Sequence, residues 1–184
     1  RPSWIDKSLF PFESKWINID GLNLHYLDEG PEQAEVILFV HGTPEWSFGF
    51  RDLIKDLSEN YRCVAIDHLG FGLSDKTEQA SYTVEAHVAR LSKVIRKLDL
   101  SDITIVANDF GGGISMGYAT AHPGNIKSIV LFNTWCWSLK EDPHFRKPAS
   151  AIDSWFGKFL YRNMNLPVNF IMRSAYGDKT KLTK

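Results

Sequence analysis

Apolar and polar positions along this chain name its elements before any chemistry is considered. Residues 15–28 place Trp16, Ile17 and Ile19, then Leu22, Leu24 and Tyr26, on either side of Asp20-Gly21. Asp-Gly between two β-prone runs predicts a hairpin. Val36-Ile37-Leu38-Phe39-Val40 is apolar throughout and predicts a strand buried on both faces. Cys63-Val64-Ala65-Ile66, Ile103-Thr104-Ile105-Val106-Ala107 and Ser128-Ile129-Val130-Leu131-Phe132 carry the same signature. Between them the period lengthens. Phe50, Leu53, Ile54 and Leu57 predict a helix over 46–57, and Val84, Val88, Leu91, Ile95 and Leu98 predict another. Thr83 is the candidate N-cap of the latter, with Glu85 in its first turn. A glycine-rich turn and a helix to about His122 follow the third strand, and Pro123-Gly124 stops that helix.

Buried strands alternating with helices predict an α/β fold: a parallel sheet with right-handed crossovers, made mixed by the hairpin. From about Ser138 the pattern changes. Pro143, Pro148 and Pro167 punctuate shorter helical pieces such as 152–162, so 138–184 is expected to be a separate helical segment after a 1–137 core. The chain has 184 residues, 43% hydrophobic and 23% charged, with a formal net charge of -1. That balance argues against nucleic acid or an anionic membrane as partner. No apolar run is long enough to span a bilayer, and Arg1-Pro2-Ser3-Trp4 opens no signal peptide. It also lacks an initiator Met, so the true N-terminus is expected upstream. Cys63 and Cys136 have no metal spacing and are expected to be buried, reduced thiols of a cytoplasmic protein. No metal or cofactor is expected. Trp135, Trp137 and Trp155 crowd the last third, as core or as the wall of an apolar pocket.

In an open α/β sheet, ligands bind at the carboxyl ends of the strands. Three of the predicted strands end in polar or glycine-bearing turns: His41-Gly42-Thr43-Pro44, Asp67-His68-Leu69-Gly70-Phe71-Gly72-Leu73-Ser74 and Asn108-Asp109-Phe110-Gly111-Gly112. The last fits a nucleophile elbow, in which one residue sits on a strained turn between strand and helix and small residues flank it. Ala107, Gly111 and Gly112 are the small positions, and Asp109 takes the nucleophile's place at a helix N-terminus, where the dipole favours an ionised carboxylate. The plainer alternative is that Asp109 only caps the helix. Gly113-Ile114-Ser115-Met116-Gly117 matches G-x-S-x-G literally, but Ser115 falls well inside the helix and reads as a packing residue. Gly111-x-Gly113-x-x-x-Gly117 grazes a dinucleotide fingerprint, yet its last glycine is one place late and Asp109 would repel a pyrophosphate. An oxyanion needs two backbone N–H donors. Phe110 offers one and Thr43 the other, since Pro44 has none.

Taken together, His41-Gly42-Thr43-Pro44-Glu45-Trp46-Ser47-Phe48, Asp67-His68-Leu69-Gly70-Phe71-Gly72-Leu73-Ser74-Asp75 and Asn108-Asp109-Phe110-Gly111-Gly112 resemble the haloalkane dehalogenases, with the epoxide hydrolases of the α/β-hydrolase superfamily as near relatives. The resemblance runs from about Trp16 to Trp137. It implies an α/β-hydrolase fold, with 1–137 the N-terminal part of the core and 138–184 the start of a helical cap within which the chain is truncated. It implies that the parent enzyme cleaves carbon–halogen bonds in small apolar organic substrates. Asp109 would displace halide to form an ester, and a histidine would then activate water while Thr43 and Phe110 N–H hold the oxyanion.

Departures from the family matter as much. Many dehalogenases carry Trp where this chain has Phe110, and Asn or Glu where it has Thr43. Some carry a catalytic acid where it has Asn133. The family's base lies near the C-terminus of a longer chain, and none of His25, His41, His68, His87, His122 and His144 is its counterpart. The 184 residues alone are therefore expected to be inactive, with further C-terminal polypeptide or a partner covering the strand at 128–132. The leaving group needs a donor, for which Trp155, opening helix 152–162, is the first candidate, with Trp135 behind it. The alternatives are an epoxide hydrolase using Tyr161 or Tyr176, and a non-catalytic fragment or binding protein built on the same core.

Overall fold

The structure, a computed structural model, describes residues 5–138, 141–144, 146–166 and 169, without the side chains of 148, 149 and 153. Tyr176 and Pro167 lie outside the described residues. Two compact units are present, Arg1–Cys136 and Trp137–Lys184.

In the first unit, β1 (Lys15–Ile19) and β2 (Leu22–Glu29) form the predicted antiparallel hairpin. Asp20 and Gly21 turn it with φ of 53° and 84°, the left-handed pair that a tight hairpin requires. β3 (Val36–Val40), β4 (Arg62–Ile66), β5 (Ile103–Asp109) and β6 (Ile126–Thr134) complete one six-stranded sheet in the order β1-β2-β4-β3-β5-β6. β2 pairs antiparallel with β4, and the remaining pairs are parallel. The mostly parallel α/β fold read from the sequence is the one observed.

Alternation within β3 shows why its sequence is apolar throughout. Val36, Leu38 and Val40 face a cluster that includes Leu91, Val94 and Ile95 of α2 (Val84–Lys97) and Ile114 and Tyr118 of α3 (Phe110–Ala121). Ile37 and Phe39 face the opposite cluster, with Phe10, Phe12 and Ile54 of α1 (Arg51–Leu57). Side chains at i and i+1 point to opposite faces, so a strand covered on both sides needs no polar position. Burying each large side chain contributes about 2–3 kcal/mol. Thr83 caps α2 as predicted, its hydroxyl accepting from Ala86 N.

Four expectations need correction. β6 is longer than predicted and is not buried: Val130, Leu131 and Phe132 are 41%, 43% and 48% exposed at the edge of the sheet. The helix over 46–57 begins as a 3₁₀ turn, Ser47–Phe50, whose first N–H, on Ser47, is donated to Asp67 Oδ1 at 2.8 Å. The helix over 152–162 is two helices, α4 (Arg146–Asp153) and α5 (Trp155–Met164), divided at Ser154, whose side chain caps α5 through Gly157 N. Cys63 is buried, but Cys136, past the end of β6, is exposed. Among the described residues no helix is long and apolar enough to cross a membrane.

Candidate active site

The carboxyl ends of β3 and β5 meet at Asp109. It closes β5 and precedes α3 with φ 49° and ψ −127°, a left-handed backbone that a non-glycine residue holds at a cost of about 1–3 kcal/mol. Close packing over-determines it. A Cβ on Gly42 would lie 2.3 Å from Asp109 Cβ, and a Cβ on Gly111 would lie 2.2 Å from the Val40 carbonyl oxygen. The strand end, the β3 loop and the start of α3 therefore approach as closely as backbones allow. Thr134, where β6 meets Asp109 in register, donates from Oγ1 to the Asp109 carbonyl at 2.5 Å.

The carboxylate has a direction. Asp109 Oδ1 accepts the Thr43 N–H at 2.8 Å and the Thr43 hydroxyl at 3.3 Å. Asp109 makes no side-chain capping bond to α3, so the capping alternative fails. Among the described residues no hydrogen bond is made to Oδ2. Phe110 begins α3, where backbone N–H groups have no intrahelical acceptor. Its ring meets the His87 ring edge-on at 5.7 Å.

Behind the elbow lie four buried histidines, His25, His41, His68 and His87. His41 donates from Nδ1 to the Gly42 carbonyl at 2.7 Å, and its Nε2 accepts the His68 N–H at 2.8 Å, which fixes a neutral tautomer with both nitrogens occupied. Burial pushes His41 down, against the upward pull of Asp67, the Gly42 carbonyl, Glu45 and Asp109. The rings of His41 and His68 lie 4.5 Å apart, and those of His68 and His87 5.2 Å apart. Burial pushes His68 well down, helped by His41 and His87, and pushes His87 to about 4 with help from Arg90. His25 Nδ1 is held by Asp67 Oδ2 at 2.9 Å. Burial alone would raise the Asp67 carboxyl, but the hydrogen bonds from His25 and from the Leu73 N–H outweigh it and hold it below the usual carboxylate range. His122 and His144 are exposed, at the end of α3 and before α4.

Of the residues singled out in the sequence, Thr43, Asp109 and Phe110 are brought together. Ser115 is fully buried within α3, away from the bend. Trp135 is half-buried just beyond β6, with its carbonyl 3.7 Å from where a Cβ on Gly113 would sit. Trp155 opens α5 in the second unit, 80% exposed, its ring stacked on Phe159 at 6.1 Å. Tyr161 is half-buried on the same helix. Sequence reading missed two groups at the site: Thr134, and Glu45, whose Oε2 accepts from Asn108 Nδ2 at 2.7 Å. No spacing rule announces either, because each acts across the sheet.

Residues 35–174 match the family described as alpha/beta hydrolase fold. The chain belongs to that family. Among its curated hydrolase-fold relatives is haloalkane dehalogenase 2 of Mycobacterium tuberculosis, 39% identical over 132 residues, covering 72% of this chain and 46% of the relative. A cis-3-alkyl-4-alkyloxetan-2-one decarboxylase of Xanthomonas campestris is 36% identical over 166 residues, covering 85% and 55%. Epoxide hydrolase 1 of Caenorhabditis elegans is 30% identical over 161 residues, covering 85% and 39%. The chain thus spans about half the length of the curated relatives it matches.

Proposed function

We propose that this chain supplies the nucleophile and oxyanion hole of a hydrolase that cleaves carbon–halogen bonds in small apolar organic substrates. The observation that carries this reading is the Thr43 N–H on Asp109 Oδ1, with Oδ2 left open. Oδ2 attacks an sp³ carbon, the new C–O bond forms, and the halide leaves with the electron pair of the C–X bond. In the resulting ester Oδ1 is the carbonyl oxygen, already resting on a backbone donor. When water adds to Asp109 Cγ, charge develops on Oδ1 and the Thr43 and Phe110 N–H groups stabilise it. Collapse of the intermediate releases the alcohol and restores the carboxylate.

The water needs a base. His41 has both nitrogens occupied, and His25 is committed to Asp67. The relatives are about twice as long as the stretch matched, and we place the base in the part of the full-length protein outside these 184 residues. The same part, or a partner, would cover the β6 edge.

A second reading is favoured by Phe110, which has no side-chain donor for a departing halide. A strained ring oxygen stays tethered to the same carbon skeleton when it leaves, as an alkoxide that needs a proton in an epoxide and as a carboxylate that can depart as carbon dioxide in an oxetan-2-one, and neither needs a halide cradle. Tyr161 and Tyr176 are the candidate donors for an epoxide, and Trp155 and Trp135 those for a halide. The test is a screen of the full-length protein with halide release, diol formation and carbon dioxide measured in parallel. Halide release that is lost in Asp109→Ala and slowed in Trp155→Phe supports the first reading. Diol or carbon dioxide, with Trp155→Phe silent, replaces it. Full turnover by Asp109→Ala removes both and points to another nucleophile, whereas no turnover of any of these substrates by the wild-type protein leaves a non-catalytic use of the fold.

A further inference from the structure

The loop that carries Thr43 is gripped twice by the end of β5. Thr43 N–H donates to Asp109 Oδ1 at 2.8 Å, and two residues further on Glu45 Oε2 accepts from Asn108 Nδ2 at 2.7 Å. Neighbouring residues of the strand thus hold residues 43 and 45 of the loop. The second bond is charge-assisted, since a carboxylate accepts it. Glu45 is half-buried and has no cationic partner among the described residues. Asn108 Oδ1 is buried with no hydrogen-bond partner, so no competing bond through that oxygen turns the amide away from Glu45.

We propose that Glu45 is a positioning residue: held by Asn108, it fixes the 43–45 loop so that the Thr43 N–H stays on the Asp109 oxygen that becomes the oxyanion. The proposal rests on the reading of Asp109 and Thr43 given above. It makes a kinetic distinction. During alkylation Oδ1 loses charge, whereas during ester hydrolysis it gains charge. A donor that drifts therefore slows the second step and spares the first. General loss of structure would instead lower the active fraction and leave both rate constants of the surviving enzyme unchanged.

The test uses the full-length protein with a haloalkane, and with an epoxide in parallel, under single-turnover rapid quench. Formation and decay of the ester on Asp109 are followed by mass spectrometry. Glu45→Ala is expected to slow ester decay about tenfold, less than deletion of an oxyanion donor does, while formation stays within about twofold. Glu45→Gln, which keeps an acceptor for Asn108, is expected to recover most of the loss. Asn108→Asp sets two carboxylates against each other and should repeat the defect. Pairing it with Glu45→Gln restores a donor and an acceptor, and should relieve it. This pair decides the matter if Glu45→Ala does not fold. The Thr43 amide resonance gives a readout without turnover: it should move in Glu45→Ala and return in Glu45→Gln. An unchanged decay constant in Glu45→Ala, or no relief in the double variant, overturns the proposal. If wild-type protein forms no ester on Asp109, the functional reading has failed instead. The Thr43 amide alone then decides whether Glu45 holds the loop, an unmoved resonance counting against it.

Discussion

β3 and β6 flank β5 on opposite sides, both parallel to it, and carry almost interchangeable runs: Val-Ile-Leu-Phe-Val and Ile-Val-Leu-Phe. Every residue of β3 is buried, whereas Val130, Leu131 and Phe132 of β6 are 41–48% exposed. The strand chemistry is the same, and only the cover differs. Helices α2 and α3 and the Phe10–Ile54 cluster close over β3 from both faces. Apolar composition thus specifies that a strand forms and expects burial, but what buries it is a property of the rest of the protein. The contrast also divides the site. Asp109 is fixed on its β3 side by close packing against the buried Gly42 and by the N–H of the exposed Thr43, and on its β6 side by the half-buried Thr134 at the end of an exposed strand.

The largest effect expected is on stability. In the 184-residue chain Phe39→Ala should cost about 3–5 kcal/mol in denaturant unfolding, as a deleted core aromatic does, and Phe132→Ala under ~0.5 kcal/mol. Similar costs would erase the difference between the two strands. In the full-length protein the Phe132→Ala cost should rise toward that of Phe39→Ala, because the covered strand then behaves as core.

Acid should act on the buried side next. A histidine kept neutral by the fold resists protonation that the unfolded chain accepts, so stability is complete above about pH 6.5 and falls as pH drops toward the folded value. For His87, held at about 4, this amounts to about 3 kcal/mol lost between pH 6.5 and 4, with His41 and His68 adding in the same direction. Thermal melts across that range should show the slope, and His87→Gln should flatten it. A pH-independent midpoint would contradict the neutral histidine column.

Smaller still is the effect at the edge. β6 offers an exposed apolar strand at the end of the sheet, which invites pairing with another chain. The 184-residue chain is expected to self-associate in sedimentation, and Val130→Lys to reduce that association with a shift in melting midpoint of only a degree or two. The least effect belongs to Ser115. Its hydroxyl is buried without a hydrogen-bond partner, so Ser115→Ala should change stability by under ~1 kcal/mol and leave turnover of the full-length protein intact. A folded but inactive Ser115→Ala would restore the serine of G-x-S-x-G as the nucleophile.

Local signals carried the sequence reading a long way. Asp20-Gly21 announced its turn, Thr83 its cap, and Ala107-x-Asp109-x-Gly111 a bend so tight that a Cβ on Gly111 would strike the β3 backbone. What stayed hidden depends on groups far apart in the chain. The Ser47–Asp67 bond at the 3₁₀ turn before α1 joins residues 20 apart, and the Glu45–Asn108 and Thr134–Asp109 bonds join residues 63 and 25 apart. Ser154 is a different omission. Its capping signal was local, but the apolar period running through it masked the break between α4 and α5.

The central claim is that Asp109 is a nucleophile and not a base, and oxygen labelling separates the two. When the full-length protein turns over its substrate once in H₂¹⁸O, a nucleophilic Asp109 gives its own oxygen to the product and takes the label at Cγ. Mass spectrometry of the peptide containing Asp109 is expected to show one ¹⁸O retained there and unlabelled first-turnover product. Labelled product with an unlabelled Asp109 would mean that water attacked the substrate directly, and would contradict the account.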